Sequence, residues 1–273
     1  MKTKPLKNLI SIPVILALLI FCFSCSKKFG EGTVDLSEWK AANYNVQEQP
    51  YAEWVLSEDK LSVTQTVNAD PSVFVSDLNL GKTSIQGTWY VNSRDDDDFI
   101  GFVFAYQDPG HFYLFDWKGA EQGSARQGMA IKIVSAPFKG PDSGNLEANL
   151  PFTKTDLWPT DGSEGKVTLL QFESTVGWQY QKPYKFQLDF RPGVFRIMVK
   201  DGEQILFDKT LEDNTYQSGK FGFYNYSQGG VVYEGFETAQ LATGFNYYWI
   251  LLLAIILIIV LIGLKKIQPR KRQ

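Results

Sequence analysis

The sequence has few residues of the kinds that form covalent cross-links or transition-metal sites. Its two cysteines, Cys22 and Cys25, lie at the end of an N-terminal apolar segment, so the body of the chain has neither a disulfide nor a thiolate site. The single histidine, His111, excludes a histidine-based metal cluster. Because His111 follows a turn sequence, we expect it at the surface and outside any catalytic triad.

Acidic residues are absent from both ends of the chain. All 30 acidic residues lie between Glu31 and Glu237, whereas eight of the 27 basic residues lie in the terminal segments. The body therefore holds 19 basic and 30 acidic residues, a formal charge of −11, although the whole chain carries only −3. An acidic body of this kind repels phosphate, so we expect no nucleic-acid partner.

The N-terminal apolar segment has the layout of a secretory signal peptide over residues 1–25. Three lysines precede the apolar residues 9–23, and Ser24-Cys25-Ser26 follows them. A serine before a cysteine at this place resembles a bacterial lipoprotein cleavage site, which makes Cys25 a candidate for lipidation. An uncleaved anchor and ordinary cleavage nearby are the alternatives.

The C-terminal apolar segment has the length of a membrane span. Residues 247–264 contain no charged residue, and 18 residues of helix extend about 27 Å. A basic tail, residues 265–273, follows, and the positive-inside rule places this tail in the cytoplasm. We therefore expect a single-pass transmembrane helix over residues 246–264 that holds the body on the outer face of the cell membrane. A sorting signal that is later removed is the alternative.

Between these segments, residues 30–243 have the pattern of short strands and no helical period of useful length. Phe186, Leu188 and Phe190 alternate with polar residues, as in a strand with one buried face. Asp201-Gly202 is a strong hairpin signal. The pattern predicts an all-β antiparallel sandwich. Outside the central hairpin described next, strands are predicted at residues 61–67, 85–91, 129–134, 167–172, 186–190, 194–199, 204–207, 221–226 and 231–236.

The stretch 94–118 is the centre of this predicted fold. Four aspartates at 95–98 run directly into residues 99–106, an almost unbroken apolar run that is typical of a strand buried on both faces. The turn residues Asp108-Pro109-Gly110 then lead into a second aromatic run. The stretch therefore predicts a hairpin with an acidic loop at its mouth. We expect Phe115 and Trp117 to be core residues.

The longest irregular segment, residues 135–165, contains four prolines and three aromatic residues. Long loops at the end of a sandwich often carry a binding surface. We expect the aromatic side chains of this loop to pack against the body and hold the loop there: Phe138, Phe152 and Trp158.

Four adjacent carboxylates beside a packed strand repel one another unless a cation neutralises them. Calcium suits such a loop because it takes roughly 6–8 oxygen ligands. A solvated acidic loop is the alternative interpretation. Since neighbouring residues of an extended chain point to opposite sides, we expect two or three of the four aspartates to bind one ion. The candidate ligands are Asp95, Asp96, Asp97 and Asp98, then Asn68 and Asp70 in a second loop, and with less support Asp77.

Several motifs follow one another in order between residues 34 and 238. They include TQTVNADP at 64–71, GTWYVN at 87–92, DDDFIGFVFAYQ at 96–107, VGW at 176–178 and GKFG at 219–222. In order and spacing they resemble the C-terminal lectin-like domain of the thrombospondins. The resemblance implies a concanavalin-like jelly-roll sandwich of two antiparallel sheets, calcium ions held at loops along its edge, and a role in adhesion outside the cell.

These observations favour a binding protein over an enzyme. We expect a membrane-tethered, extracytoplasmic, calcium-binding adhesion or interaction module whose partner is a surface protein, a matrix component or a glycan. A glycan-binding lectin-like domain is the alternative, and exposed aromatic side chains would favour it. A glycoside hydrolase has less support, because the strands do not present the spaced pair of carboxylates which that reaction requires.

Overall fold

The computed structural model describes residues 34–147, 150–174 and 176–241, which form sixteen strands and one short helix. The elements are β1 (Lys40–Tyr44), β2 (Trp54–Leu56), β3 (Val63–Gln65), β4 (Ser72–Leu80), β5 (Thr83–Val91), β6 (Phe99–Asp108), β7 (His111–Lys118), β8 (Gly128–Ser135), β9 (Gly144–Leu146), α1 (Lys154–Leu157), β10 (Gly162–Ser163), β11 (Val167–Glu173), β12 (Tyr184–Arg191), β13 (Val194–Asp201), β14 (Gln204–Glu212), β15 (Gly219–Tyr226) and β16 (Val231–Gln240). Each of the strands predicted from sequence overlaps one of these.

The strands form two sheets. One sheet has nine strands in the order β10-β11-β8-β7-β6-β15-β4-β1-β9, and the other has seven in the order β14-β13-β12-β5-β16-β3-β2. The pairing between named strands is antiparallel except that β9 runs parallel to β1, which departs from the purely antiparallel expectation. An all-β sandwich of two sheets, as predicted, is therefore the described fold, and it fits a jelly roll.

The predicted central hairpin is confirmed as β6 and β7, which pair from Phe99 opposite Lys118 to Asp108 opposite His111. The Asp108 carboxylate accepts the Gly110 N–H at 2.7 Å, which is the local bond that makes aspartate a turn residue. His111 Nδ1 also contacts Asp108 at 2.9 Å, and its side chain is one third exposed. The only histidine of the sequence thus begins β7, directly after the turn.

Aromatic side chains fill the space between the two sheets. Phe102 stacks on Phe115 of its own sheet at 4.9 Å and lies 5.3 Å from Phe186 of the other sheet. Trp89 stacks on Phe186 at 4.6 Å. Phe115 and Trp117 are fully buried, which confirms them as core residues. Such ring pairs add about 0.5–1.5 kcal/mol each beyond the burial of their surface.

A second apolar layer covers the outer face of the nine-stranded sheet. It is formed by residues 136–143 and 150–161, which flank the edge strand β9 in sequence and precede the edge strand β10, and we call them the covering segment. Phe152 packs on Tyr44 at 4.7 Å, and Trp158 stands edge-on to Phe99 at 5.5 Å and to Tyr226 at 5.4 Å. Phe138 belongs to the same layer, so the predicted pinning of the loop by its aromatic residues is confirmed. The layer also explains why β6 is buried on both faces.

One part of the predicted fold class is wrong. The prediction included a C-terminal transmembrane helix over residues 246–264, but no helix in the described part of the chain is long and apolar enough to cross a membrane. That prediction rested on length and hydropathy, which measure tolerance of lipid and do not establish a helix. The predicted segments 1–25, 246–264 and 265–273, and the lipidation candidate Cys25, lie outside the described residues.

Candidate metal site

Three loops meet at one end of the sandwich because the strands that bear them pair there. Tyr226 at the end of β15 pairs with Phe99 at the start of β6, and Asn225 pairs with Ser72 at the start of β4. Residues 92–98, 66–71 and 227–230 are therefore neighbours, although they are far apart in sequence. The acidic loop is the first of these three segments.

The carboxylates of Asp96, Asp97 and Asp98 form a group in which one oxygen from each lies within 4.8 Å of the others. Asp98 is buried, whereas Asp96 and Asp97 are partly exposed. Burial raises the pKa of Asp98, and an ion pair with Lys118 opposes that effect. The group therefore combines one buried carboxylate with two that solvent reaches, an arrangement open to an ion from one side.

Asp95 lies apart from this group. Its side chain is exposed, and its carboxylate accepts a hydrogen bond from the Ser93 hydroxyl at 2.5 Å. The structure therefore brings together three of the four predicted aspartates and leaves the first of them in a local turn. The assignment of individual ligands stays a prediction.

Backbone groups of the acidic loop are fixed by aromatic side chains from residues 178–180. The Trp178 Nε1–H donates to the Asp98 carbonyl at 2.9 Å, and the Tyr180 hydroxyl donates to the Asp96 carbonyl at 3.0 Å. Two glycines allow the segments to approach closely, since a Cβ on Gly177 would lie 1.6 Å from the Gly119 carbonyl oxygen. These bonds hold the carboxylates in place without using their oxygens.

Lys118, at the end of β7, places a positive charge inside the acidic loop. Its side chain is 1% exposed, and Nζ donates to Asp97 Oδ1 at 2.9 Å and to the Asp97 carbonyl at 3.2 Å. It also forms a short ion pair with Asp98. Removing a buried charge from such a pair typically costs about 3–5 kcal/mol, so Lys118 is an integral part of the loop.

Asn68, a candidate ligand from the second loop, lies beside Asp96. Its amide nitrogen donates to Asp96 Oδ2 at 2.8 Å, and its amide oxygen accepts from the Ser227 hydroxyl at 3.4 Å. The oxygen and nitrogen of an asparagine amide are exchanged by a simple flip. Asn68 can therefore turn its oxygen toward an ion beside Asp96 and offer it as a neutral ligand.

Asp70 is buried and has a different environment. Its Oδ2 accepts the backbone N–H groups of Gln47 and Gln49, both at 3.1 Å, while its Oδ1 is buried and has no hydrogen-bond partner among the described residues. Burial raises the pKa of Asp70, and the backbone donors oppose that effect. Asp70 does not belong to the group of Asp96, Asp97 and Asp98, although burial first, and then both Asp70 and Asp98, raise the pKa of Tyr226.

Asp77 does not belong to this end of the molecule. It lies five residues along β4 from Ser72, a distance of roughly 17 Å in a strand. Its side chain lines a shallow surface cleft with Glu38, Lys40 and Lys220. The structure thus separates Asp77 from the other candidates.

The residues present fit a hard divalent cation. The group offers carboxylate oxygens from three aspartates, and the second loop adds the amide of Asn68, bonded to Asp96, and a buried Asp70 oxygen without a hydrogen-bond partner among the described residues. Oxygen donors without sulfur or imidazole are the set that calcium prefers. The group carries three negative charges against the single buried positive charge of Lys118, so an additional cation is electrostatically favourable.

Several residues of the site were not identified from the sequence. Lys118 ends a run of aromatic residues, and a lysine at the end of an apolar strand is usually solvent-facing. Gln228, which accepts the Asp98 N–H at 3.1 Å, is fully buried in a loop far along the chain. The pairing of β15 with β6 brings Gln228 to the acidic loop, and no local pattern reports that pairing, whereas the β6–β7 hairpin brings Lys118 there.

The described surface has no strongly exposed aromatic side chain. The large apolar side chains that are most exposed there are aliphatic: Val55, Val176 and Ile205. The aromatic residues of the covering segment point inward. Sugar recognition by stacking on open aromatic rings therefore has no clear platform in this part of the chain.

The family model described as the thrombospondin C-terminal region matches residues 49–239. Thrombospondin-2 of Bos taurus is 32% identical over 193 residues, which cover 66% of this chain and 16% of that protein. Thrombospondin-3 of Homo sapiens is 30% identical over 197 residues, which cover 67% of this chain and 20% of that protein. The chain thus spans about a fifth or less of the length of these relatives.

Solved structures share the fold. The exoplasmic/lumenal domain of VIP36, in its Ca2+/Man2-bound form, aligns with a TM-score of 0.51 and 11% identity over 76% of this chain and 83% of that one. Its Ca2+-bound form aligns with a TM-score of 0.50 over 80% of this chain and 89% of that one. At this identity the likeness concerns the two-sheet sandwich alone.

Proposed function

The chain belongs to the thrombospondin C-terminal region family, and from this membership we propose that it acts outside the cell as a calcium-binding adhesion or interaction module. The observation that carries the calcium part is the grouping of Asp96, Asp97 and Asp98, with Asn68 bonded to Asp96 from a second loop. Family membership supports a binding role over a catalytic one. Because the relatives are several times longer, their partners are not carried over to this chain.

Calcium would be held by the carboxylates of Asp96, Asp97 and Asp98 and by the amide oxygen of Asn68, with Asp70 as a further candidate. When bound, the ion neutralises the acidic loop and links residues 66–71 to residues 92–98. The backbone of the acidic loop is held by hydrogen bonds to the side chains of Trp178, Tyr180 and Gln228. The role of the ion is structural, and the surface it stabilises is the one offered to a partner.

The partner that we propose is a surface protein or a matrix component. The formal charge of −11 on the body favours a partner with basic groups, because opposite charges speed encounter and improve fit. The covered outer face of the nine-stranded sheet is unavailable to a partner without displacement of the covering segment. The loops at the acidic end and the outer face of the seven-stranded sheet are the surfaces that remain open.

A glycan-binding role is the second candidate, supported by the shared fold with a lectin-like domain. The lack of a strongly exposed aromatic platform in the described residues favours the protein or matrix partner. A glycan array probed with the purified protein, in calcium and in EGTA, separates the two. Calcium-dependent binding to a defined set of glycans would replace the protein-adhesion proposal with the lectin one.

The experiment that tests calcium binding is differential scanning calorimetry of the purified protein in CaCl2, in MgCl2 and in EGTA. A ligand at one hundred times its Kd stabilises the folded state by about 2.7 kcal/mol. For a domain of this size that corresponds to a rise in Tm of about 5–10 °C in calcium over EGTA. A Tm that is the same in calcium and in EGTA would remove the proposal.

A further inference from the structure

Two lysines lie buried on adjacent strands beneath the covering segment. Lys118 of β7 is 1% exposed and Lys132 of β8 is fully buried. Both ammonium groups lie beside the same ring, since the centre of Phe99 is 5.7 Å from Lys118 Nζ and 5.6 Å from Lys132 Nζ. A buried ammonium group needs a carboxylate partner, and both lysines have one.

The partners of the two lysines differ in where they lie. Lys132 Nζ donates to Asp116 Oδ2 at 2.7 Å, and Asp116 stands on the neighbouring strand of the same sheet. Lys118 instead reaches out of its sheet into the acidic loop. The Lys132 pair is therefore contained within the sheet, whereas the Lys118 pair joins the sheet to the loop.

The hydrogen bonds of Lys118 are complete, and all of them go to the acidic loop. An ammonium group has three N–H donors. The acceptors are the carbonyl and Oδ1 of Asp97, at 3.2 and 2.9 Å, and a carboxylate oxygen of Asp98. Lys118 thus takes one carboxylate oxygen from each of two residues that also belong to the metal-binding group. Each carboxylate has a second oxygen that Lys118 does not contact, and the Ser227 side chain also hydrogen-bonds to the Asp98 carboxylate.

We propose that Lys118 is a built-in cation that shares the carboxylates of Asp97 and Asp98 with the metal ion and thereby sets the affinity of the site. This inference rests on the calcium-binding function proposed above. The lysine neutralises part of the loop's charge and keeps the loop folded when no ion is bound. In return, its positive charge repels the ion, so the site binds calcium less tightly than its carboxylates alone would.

The test is a set of single substitutions studied by calcium titration calorimetry and by thermal unfolding in EGTA. Lys118→Gln keeps an N–H donor but removes the charge, and Lys132→Met is the matched control, because it removes a buried lysine beside the same ring with no bond to the loop. We expect Lys118→Gln to lower Tm in EGTA and to bind calcium at least about tenfold more tightly than the wild-type protein. We expect Lys132→Met to lower Tm equally with and without calcium and to keep the wild-type Kd within about twofold.

The outcomes separate this inference from the proposed function. If the wild-type protein binds calcium and Lys118→Gln binds it equally or more weakly, the inference is overturned and the function stands. If the wild-type protein does not bind calcium but Lys118→Gln does, the proposed function is overturned. The inference is then supported, because the charge of the lysine is what keeps the ion from binding. If neither binds calcium, both proposals fail. A Lys118→Gln chain that does not fold even in saturating calcium also overturns the inference, because the ion then does not compensate for the lost positive charge.

Discussion

The outer face of each sheet carries a salt bridge between a basic residue and an aspartate, but the salt bridge is buried on one sheet and exposed on the other. On the nine-stranded sheet, the covering segment buries Lys132 and Asp116, whose side chains are 0% and 3% exposed. On the seven-stranded sheet, which has no such cover among the described residues, Arg196 and Asp208 pair at 2.5 Å with 41% and 33% exposure. Breaking a buried pair leaves a charge without water or partner, whereas water replaces either member of an exposed pair. A contact distance alone therefore says little about what a salt bridge contributes.

The covered face itself has a centre and an edge. Asp116 and Lys132 lie at its centre with matched charges, and nothing further is needed there. At its edge, Lys118 faces a loop with more carboxylates than it can neutralise. Charge is balanced inside the sheet and unbalanced where the sheet meets the loop. The location of the unbalanced charge is what makes this edge the candidate metal site.

The largest effect that we expect follows substitution of Lys132 by methionine. The Asp116 carboxylate is then buried without a counter-ion, and the free energy of unfolding should fall by about 3–5 kcal/mol at pH 7. Denaturant unfolding measures this change. Burial already raises the pKa of Asp116, although Lys132 lowers it, and loss of Lys132 should raise it further. The folded variant therefore binds a proton that the unfolded chain releases, so its deficit should shrink as the pH falls from 7 toward about 4.

The control for this prediction is the double variant Asp116→Asn/Lys132→Met. It removes both charges together, and we expect most of the lost stability to return, because neither partner is left alone. A deficit as large as that of the single variant, without pH dependence, would show that packing of the lysine chain matters and not its charge. A single variant that loses less than about 1 kcal/mol would erase the contrast between the two faces.

The next largest effect that we expect is a calcium-dependent loss of stability at the acidic loop, on the edge of the covered face. Asp96→Asn removes one charge from the group, and in saturating calcium we expect it to lose about 2–3 kcal/mol of the stabilisation that the ion supplies. In EGTA it should differ from the wild-type protein by less than about 0.5 kcal/mol, as for a partly exposed residue. Thermal unfolding of both proteins in both buffers measures the difference.

Asp95→Asn is the matched control for the edge, since it removes an adjacent charge that lies outside the group. We expect its calcium-induced shift in Tm to equal that of the wild-type protein. An equal loss in the two variants would mean that the loop attracts calcium through its summed charge and that no ordered site exists. That result would support the alternative of a solvated acidic loop.

The sequence predicted those parts of the fold that depend on local chemistry. The apolar run 99–106 reports a strand covered on both faces, and the turn residues 108–110 and 201–202 report hairpins, because each signal lies within a few adjacent residues. β4 was missed, although it lies inside the nine-stranded sheet. Its buried positions include Ser72 and Ser76, and its second half contains Asp77 and Asn79, so neither an apolar run nor a clean alternation marks it.

The candidate site could be predicted only in part, for a similar reason. The run of aspartates is a local signal, and it located the acidic loop. The proximity of Asn68 to Asp96, and of Gln228 to Asp98, results from pairing between strands distant in sequence. Lys118 gives no local signal at all, because its role depends on the covering segment that buries it. Resemblance to a family suggested which loops to consider but did not reveal these contacts.

The smallest effect that we expect is on the open face. Asp208→Asn breaks the charge pair with Arg196, whose hydrogen bonds lower the pKa of Asp208 below its usual value. A carboxylate with a lowered pKa contributes stability above its unfolded pKa of about 3.9 and loses that contribution as the pH falls through its folded value. Because solvent screens the pair, we expect a loss below about 1 kcal/mol at pH 7, smaller still in 1 M NaCl and at acidic pH, where Asp208 becomes protonated. Urea unfolding at these pH values measures it. A loss above about 2 kcal/mol would be as large as the loss expected for a buried salt bridge. The covering segment would then not explain the difference between the two faces.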